Sequence, residues 1–361
     1  MENPGANHQR SQGKYIMINS KTLKQKAREL GADLVGIGNI SRFAGSPKEQ
    51  DPRYIAPASK SIIGLGFRVL RGCFRGIESG TQYYQLPSMG VENIDMRYAP
   101  MVLRRVACLL EDHGCEGAVQ MMINDRRHAD SPGTSPEMSF TSKYPSEAVS
   151  PDRPAPDVML DFNQAAYLCG LGRMGMGGFF LTPEFGPLQR FAFILTDAEL
   201  EPDPIDVNVI CDNCGKCIAG CPGKAIDATA KTVREWNGKT IEYNQLDEWQ
   251  CAAYYAGAHS STNPFLPPDA FKNLPDGDKI ASGEKRLTPQ EAEAIRKIAD
   301  AHYGGVGNNY GASICGKSCQ RECYIHLEQR GVLKHKFINQ FRTEAPWRID
   351  RKPPREKLSL A

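Results

Sequence analysis

Apolar positions along the chain first recur at helical spacing. Leu23, Ala27 and Leu30 share one face of a stretch that Ser20 can cap and Gly31 ends, which predicts a helix from Ser20 to Leu30. Asp33–Gly38 and Ser61–Phe67 are short apolar runs and read as buried strands. A longer helix is predicted over Asn93–His113, where Met101, Val102, Arg105, Val106, Leu109 and Leu110 recur at intervals of three and four; Gly114 caps it and Gly117–Ile123 follows as a strand. Strand, helix and strand in alternation predict an α/β layer. Further on, Val158–Cys169 is predicted as a helix, Leu188–Thr196 as a strand and Ile241–Ala256 as a helix. Thr288 opens another helix, with Pro289 in its first turn and Glu291 as the capping-box partner.

The stretches between are polar or rich in Gly and Pro. Asn124–Pro156 is long enough to read as a functional loop or lid, and Ser260–Glu284 as an insertion. Pro202 and Pro204 mark a domain border. The expected organisation is a disordered tail over 1–17, an α+β domain of α/β type over 18–200, a cysteine domain over 201–332 and a basic extension over 333–361.

Composition narrows the class. A chain of 361 residues, 40% hydrophobic and 24% charged, can form two ordinary globular domains. The net charge of +2 argues against a general polyanion binder, and nucleic acid is not expected as a partner. The basic run Lys334–Lys357 reads as a solvated tail. No run of about 18 apolar residues suggests a membrane span. Met1–Gly13 is polar, without the apolar stretch of a leader, so a cytoplasmic location is expected.

Most of the 12 cysteines fall at metal-ligand spacings. Cys211, Cys214, Cys217 and Cys221 followed by Pro222 form C-x2-C-x2-C-x3-C-P, the bacterial-ferredoxin run for iron–sulfur clusters. The competing possibility is a structural zinc site. In two-cluster ferredoxins the fourth cysteine serves the other cluster. Cys315, Cys319 and Cys323, with the isolated Cys251, bring the candidates to eight, enough for two [4Fe–4S] clusters. Crosswise sharing suggests Cys211, Cys214, Cys217 and Cys323 for one, and Cys221, Cys251, Cys315 and Cys319 for the other. Cys251 could instead be a small buried hydrophobe. Cys73, Cys108, Cys115 and Cys169 have no assigned role.

Ahead of these cysteines lies Gly170-Leu-Gly172-Arg173-Met-Gly175-Met-Gly177-Gly178. It follows a predicted helix and not a strand, so it is no dinucleotide fingerprint. Its glycines allow close approach of a large ligand, and its backbone N–H groups suit a phosphate.

The stretch from Ala165 through Gly172, with Thr182-Pro-Glu-Phe-Gly186-Pro187, the Thr196-Asp197 pair and the ferredoxin run after it, resembles the reductive dehalogenases. It resembles the epoxyqueuosine reductases less closely. Leu30–Gly36 and Gly114–Ala118 match both families as well.

The resemblance implies a nitroreductase-like domain holding cobalamin, followed by a ferredoxin-like domain with two [4Fe–4S] clusters that feed it electrons. Gly170, Gly172, Arg173, Gly175, Gly177, Gly178, Gly186 and Pro187 would then contact the corrinoid. An external ferredoxin or flavodoxin would supply electrons, and a small molecule such as an organohalide would be reduced. Tyr144, with Lys143 and Arg153 nearby, and Asp157 are the proton-donor candidates, with His128 a further one.

Some positions depart from the pattern. The second cysteine run lacks a C-x2-C start, Tyr324 stands where Pro is common, and Arg173 and Met174 stand where the epoxyqueuosine reductases have Trp and Lys. The alternatives are epoxyqueuosine reduction on tRNA and a non-catalytic electron carrier.

Overall fold

The computed structural model describes residues 17–122, 149, 157–205, 207–302 and 313–349. Tyr144, Lys143, Arg153, His128 and all of the expected 1–17 tail but Met17 lie outside the described residues.

Helix α1 (Ser20–Glu29) is capped one residue earlier than predicted: the Asn19 side chain, not that of Ser20, accepts the Thr22 N–H at 2.9 Å. Strands β1 (Leu34–Asn39) and β2 (Ser61–Arg68) follow, then the short helix α2 (Arg75–Ser79). Leu86–Glu92 and Ile94–Tyr98 are wide π-helical turns leading into α3 (Ala99–Asp112). The regular helix therefore starts six residues later than the predicted Asn93. Pro100 has no N–H to donate to the preceding turn, so the regular helix begins afresh around it. After β3 (Gly117–Gln120) comes α4 (Phe162–Leu168). It is shorter than predicted because Asp161 caps it, accepting the N–H groups of Asn163 and Gln164 at 2.9 and 3.1 Å. Strands β4 (Arg173–Met174) and β5 (Phe180–Leu181) pair with each other, and β6 (Gln189–Thr196) completes the first half.

The main sheet has the order β1-β2-β6-β3, and every pair is antiparallel. Ser61 and Gly117 both face Thr196 across the ladders. This corrects the α/β layer expected from the alternation of strands and helices. The fold is mixed helix and sheet, but no helix links parallel neighbours: β1 joins β2 through 3-10 turns, and β6 runs against both β2 and β3. Successive residues of β2 point to opposite faces. Ile63 and Leu65 join Leu23, Val102, Val106 and Leu110 under α1 and α3, while Ile62 joins Ala165, Leu168 and Phe193 under α4. Each such fully buried side chain contributes about 1.5–3 kcal/mol.

The second half begins with the single turn α5 (Lys216–Ala219) and the hairpin β7 (Ile226–Trp236) and β8 (Lys239–Leu246). Asn237 (φ 49°) and Gly238 (φ 69°) both take the left-handed conformation that a two-residue hairpin turn requires. Helices α6 (Glu248–Ala256), α7 (Gly277–Ala281), α8 (Pro289–His302) and α9 (Ser318–Gln329) follow. The predicted helix Ile241–Ala256 is thus corrected: its first half is strand, and α6 begins only where Asp247 accepts the Gln250 N–H at 2.9 Å. The capping box of α8 forms as expected: Glu291 N–H donates to Thr288 Oγ1 at 3.2 Å, and Thr288 N–H to Glu291 Oε2 at 2.9 Å.

Residues 333–349 are not a solvated tail. Leu333 and Phe341 are buried, and the Trp347 N–H donates to the Glu78 carbonyl at 2.8 Å. Arg342 donates to Glu78 at 2.7 and 2.8 Å and to Glu322 at 2.8 Å. Arg342 of this strap thus meets acids on α2 and α9, and Lys334 meets Glu184 at 2.8 Å. Among the described residues no helix is long and apolar enough to cross a membrane.

Candidate functional site

The cysteines of the ferredoxin run do not stay together. Cys211, Cys214 and Cys217 occupy a loop that Asn213 (φ 59°) and Gly215 (φ 71°) turn sharply into α5. Cys323 reaches them from α9. Burial pushes the Cys323 thiol well up, and the sulfurs of Cys217, Cys211 and Cys214 beside it push it further. Cys217 is raised by burial, with Cys211 and Cys214 adding to it. Cys214 is the exposed member of this group.

Cys221 turns away toward the second group. Burial raises the Cys319 thiol well above its ordinary value, followed by the neighbouring sulfurs of Cys315, Cys251 and Cys221. Cys251 comes from α6, Cys315 from the turn before α9, and Cys319 from α9 itself. Cys315 precedes α9, so the three cysteines of this run do not share one helix. Arg321 fixes that turn, donating to the carbonyls of Gly316 at 2.9 Å and Cys315 at 3.2 Å.

Each group fits a cationic metal cluster. The thiols of Cys217 and Cys323 in one group, and of Cys315 and Cys319 in the other, are raised by burial and resist ionisation on their own, whereas a bound metal favours the thiolate. Backbone donors to sulfur are in place: Met176 N–H points at Cys211 Sγ at 3.5 Å, and Ala225 N–H at Cys221 Sγ at 3.3 Å. The ligand atoms of Asp212, Cys214 and His326 also lie within 4.8 Å of one another, but His326 Nε2 is already paired with Asp212 at 2.9 Å.

The glycines of the predicted corrinoid loop divide into two sets. Gly175 and Gly177 line a cavity of about 220 Å³ with Cys211, Cys214, Cys217 and Cys323. A Cβ on Gly177 would lie 2.9 Å from Cys217 Sγ. Gly170 and Gly172 instead face protein, where a Cβ would meet the carbonyl oxygens of Pro204 at 2.4 Å and Leu181 at 2.1 Å. Gly178 sits against Asn244, and Gly186 against Leu327 and Leu333. Pro187 is buried, and Arg173 Nε donates to the Val207 carbonyl at 2.6 Å. Asp157 is buried, accepts the Val149 N–H at 3.0 Å, and lines neither sulfur cavity.

A second cavity, also about 220 Å³, lies beside Cys315 under Trp347 and Arg348 of the strap. A wider groove of about 540 Å³ runs between Arg68, Arg71, Arg75, Phe185 and Phe337, and no cysteine lines it.

Several residues around the sulfurs are not apparent from cysteine spacing. Lys317, between Cys315 and Cys319, is pushed down to about 8 by burial and by Arg190; Asp95, Cys319 and Cys315 pull the other way. The β7–β8 hairpin supplies Lys231 and Asn244 to the first cavity. Its signal was the Asn237-Gly238 pair.

No protein-family model matches the chain. It is 36% identical over 108 residues to tetrachloroethene reductive dehalogenase of Sulfurospirillum multivorans, covering 27% of this chain and 22% of that protein. It is 32% identical over 101 residues to the enzyme of the same name from Dehalobacter restrictus, covering 25% and 18%. The chain thus spans about a fifth of the length of these curated relatives. Among solved structures, a catabolic reductive dehalogenase aligns with a TM-score of 0.46 at 18% identity, over 78% of this chain and 36% of that one. Epoxyqueuosine reductase from Streptococcus thermophilus aligns with a TM-score of 0.40 at 15% identity, over 80% and 83%. Proteins so named are oxidoreductases. Over about a quarter of its length the chain is thus similar to reductive dehalogenases, the family that its motifs resemble.

Proposed function

We propose that the chain is an iron–sulfur reductase of the reductive-dehalogenase type. Residues 18–200 form its nitroreductase-like reduction domain and 201–332 a ferredoxin-like domain, with 333–361 as a basic extension. Cys211, Cys214, Cys217 and Cys323 hold one [4Fe–4S] cluster, and Cys221, Cys251, Cys315 and Cys319 the other. What supports this is the gathering of the cysteines into two groups of four, each completed from outside its own loop.

Bound clusters supply one-electron transfer. The chain's own residues do the rest. The N–H groups of Met176 and Ala225 hold sulfurs in place, and Gly177 leaves room at Cys217. The exposed edge at Cys214 faces an external donor such as a ferredoxin or flavodoxin. The net reaction is reductive cleavage of a carbon–halogen or similar bond: two electrons and one proton enter, a carbon–hydrogen bond forms, and halide leaves. Asp157 or Tyr144 supplies the proton.

The corrinoid implied by the resemblance does not fit either sulfur-lined cavity. Each is about 220 Å³, below the ~300–1,000 Å³ usual for small-ligand pockets. A corrinoid is larger than the ligands of such pockets. The groove of about 540 Å³, which no cysteine lines, does fall within that range. The second possibility is an electron carrier that passes charge to a partner.

One experiment separates the two. The protein is reconstituted anaerobically, then titrated with cobalamin by absorbance and assayed for halide release. Corrinoid binding with halide release supports the reductase. Full iron loading with neither leaves the carrier.

A further inference from the structure

The main sheet ends in β3, and among the described residues no strand pairs with its outer edge. That edge reads Gly117-Ala-Val-Gln, with no charge and no proline to discourage pairing with another chain. Gly117 faces α3, where a Cβ would lie 3.0 Å from that of Ala107. Val119, which is 46% exposed, and Met121 line the same side. Between them and α3 runs a cavity of about 300 Å³, bounded on the helix by Arg104, Ala107, Cys108 and Glu111. Arg104 and Glu111 are exposed, and among the described residues neither has an ionic partner. They stand seven residues apart, about 10 Å along the helix, with the small side chains of Ala107 and Cys108 between them.

We infer that the α3–β3 face is a self-complementary surface on which two copies of this chain meet. A second α3 laid antiparallel, with the two-fold axis between Ala107 and Cys108, brings Arg104 opposite the partner's Glu111, and Glu111 opposite the partner's Arg104. At the axis, Ala107 meets the partner's Cys108, and both are small enough for the helices to approach closely. One surface thus supplies both halves of each charge pair, which is the condition for a closed two-fold contact that stops at two copies. The second copy fills the groove, takes Val119 and Met121 out of water and shelters the uncharged β3 edge.

The test is sedimentation of the full, reconstituted chain at concentrations up to about 100 μM, where a complex of ~1 μM affinity is nearly saturated. The wild type is expected to dimerise as concentration rises. Arg104→Glu and Glu111→Arg each set like charges opposite one another twice, and each should weaken the dimer at least about tenfold. An equimolar mixture of these two single variants should dimerise like the wild type, because every pair across the axis is then of opposite sign. The double variant Arg104→Glu/Glu111→Arg should do the same alone. A merely structural role for either side chain would not be rescued by mixing two separate chains. Should either single variant fail to fold, Arg104→Gln and Glu111→Gln decide, since each removes both pairs without repulsion and should weaken the dimer several-fold. A chain that stays monomeric throughout would overturn the inference, with slow alkylation of Cys108 then meaning that the chain itself fills the groove. A dimer that none of these variants weakens would overturn it too. Cluster content plays no part in the argument, so failed iron loading would count against the proposed function alone.

Discussion

Replacing Glu78 with Gln tests how the C-terminal strap is held. Glu78 is about one-tenth exposed and meets two arginines, Arg342 at 2.7 and 2.8 Å and Arg321. In Glu78→Gln, Arg342 keeps Glu322 at 2.7 Å, but Arg321, only 4% exposed, keeps only carbonyl partners. Removing one partner of a buried pair costs about 3–5 kcal/mol, and the surviving Arg342–Glu322 pair puts this case near the low end, about 3 kcal/mol. Burial alone would raise the Glu78 carboxyl, but Arg342 and Arg321 outweigh it and hold it below its ordinary value of 4.5. Its folded pKa is thus depressed. The stability it contributes is present above pH 4.5 and is lost as pH falls through the lower folded value. The assay is urea unfolding at pH 7 and pH 4, with hydrogen exchange at the Trp347 amide, which donates to the Glu78 carbonyl. The variant should lose about 3 kcal/mol at pH 7, less at pH 4, and its strap amides should exchange faster. A loss under about 0.5 kcal/mol at pH 7 would refute the reasoning, because that is the scale of an ordinary surface substitution.

Two further outcomes follow from local geometry. Gly177→Ala places a Cβ 2.9 Å from Cys217 Sγ, so reconstitution should load the second cluster and lose most of the first, read as iron per chain falling by about half. Thr288→Ala removes the hydroxyl that accepts the Glu291 N–H, and chemical denaturation should show a loss of about 1 kcal/mol with cluster content unchanged.

The sulfur groups proposed here are read from the sequence because cluster chemistry fixes cysteine spacing, and the ferredoxin run itself implies that Cys221 serves the other group. The α8 cap was legible for a similar reason: Thr288 and Glu291 reach each other within one turn. Features set by distant partners were not. The strap's arginines read as solvated because Glu78 lies 264 positions from Arg342. The strand β8 was mistaken for helix because its Glu, Asn and Gln are tolerated in both. The decisive Asn237-Gly238 turn lies just before that stretch, outside the residues whose pattern suggests a helix. The direction of β6 against β2 depends on tertiary pairing, which the apolar runs do not carry. Gly170 and Gly172 show the same limit: a glycine signals close approach, and only the fold reveals that the neighbours are Pro204 and Leu181.

The crossed sulfurs are tested most directly by two single substitutions measured side by side. Cys323→Ser and Cys221→Ser are reconstituted anaerobically, and the surviving cluster is identified by whether Gly177→Ala, added to each, removes it. The wild type should carry about eight irons. Cys323→Ser should keep the cluster that is insensitive to Gly177→Ala, and Cys221→Ser the sensitive one. The reverse pattern, with Cys221→Ser losing the cluster beside Gly177, would contradict the crossing and the site built on it.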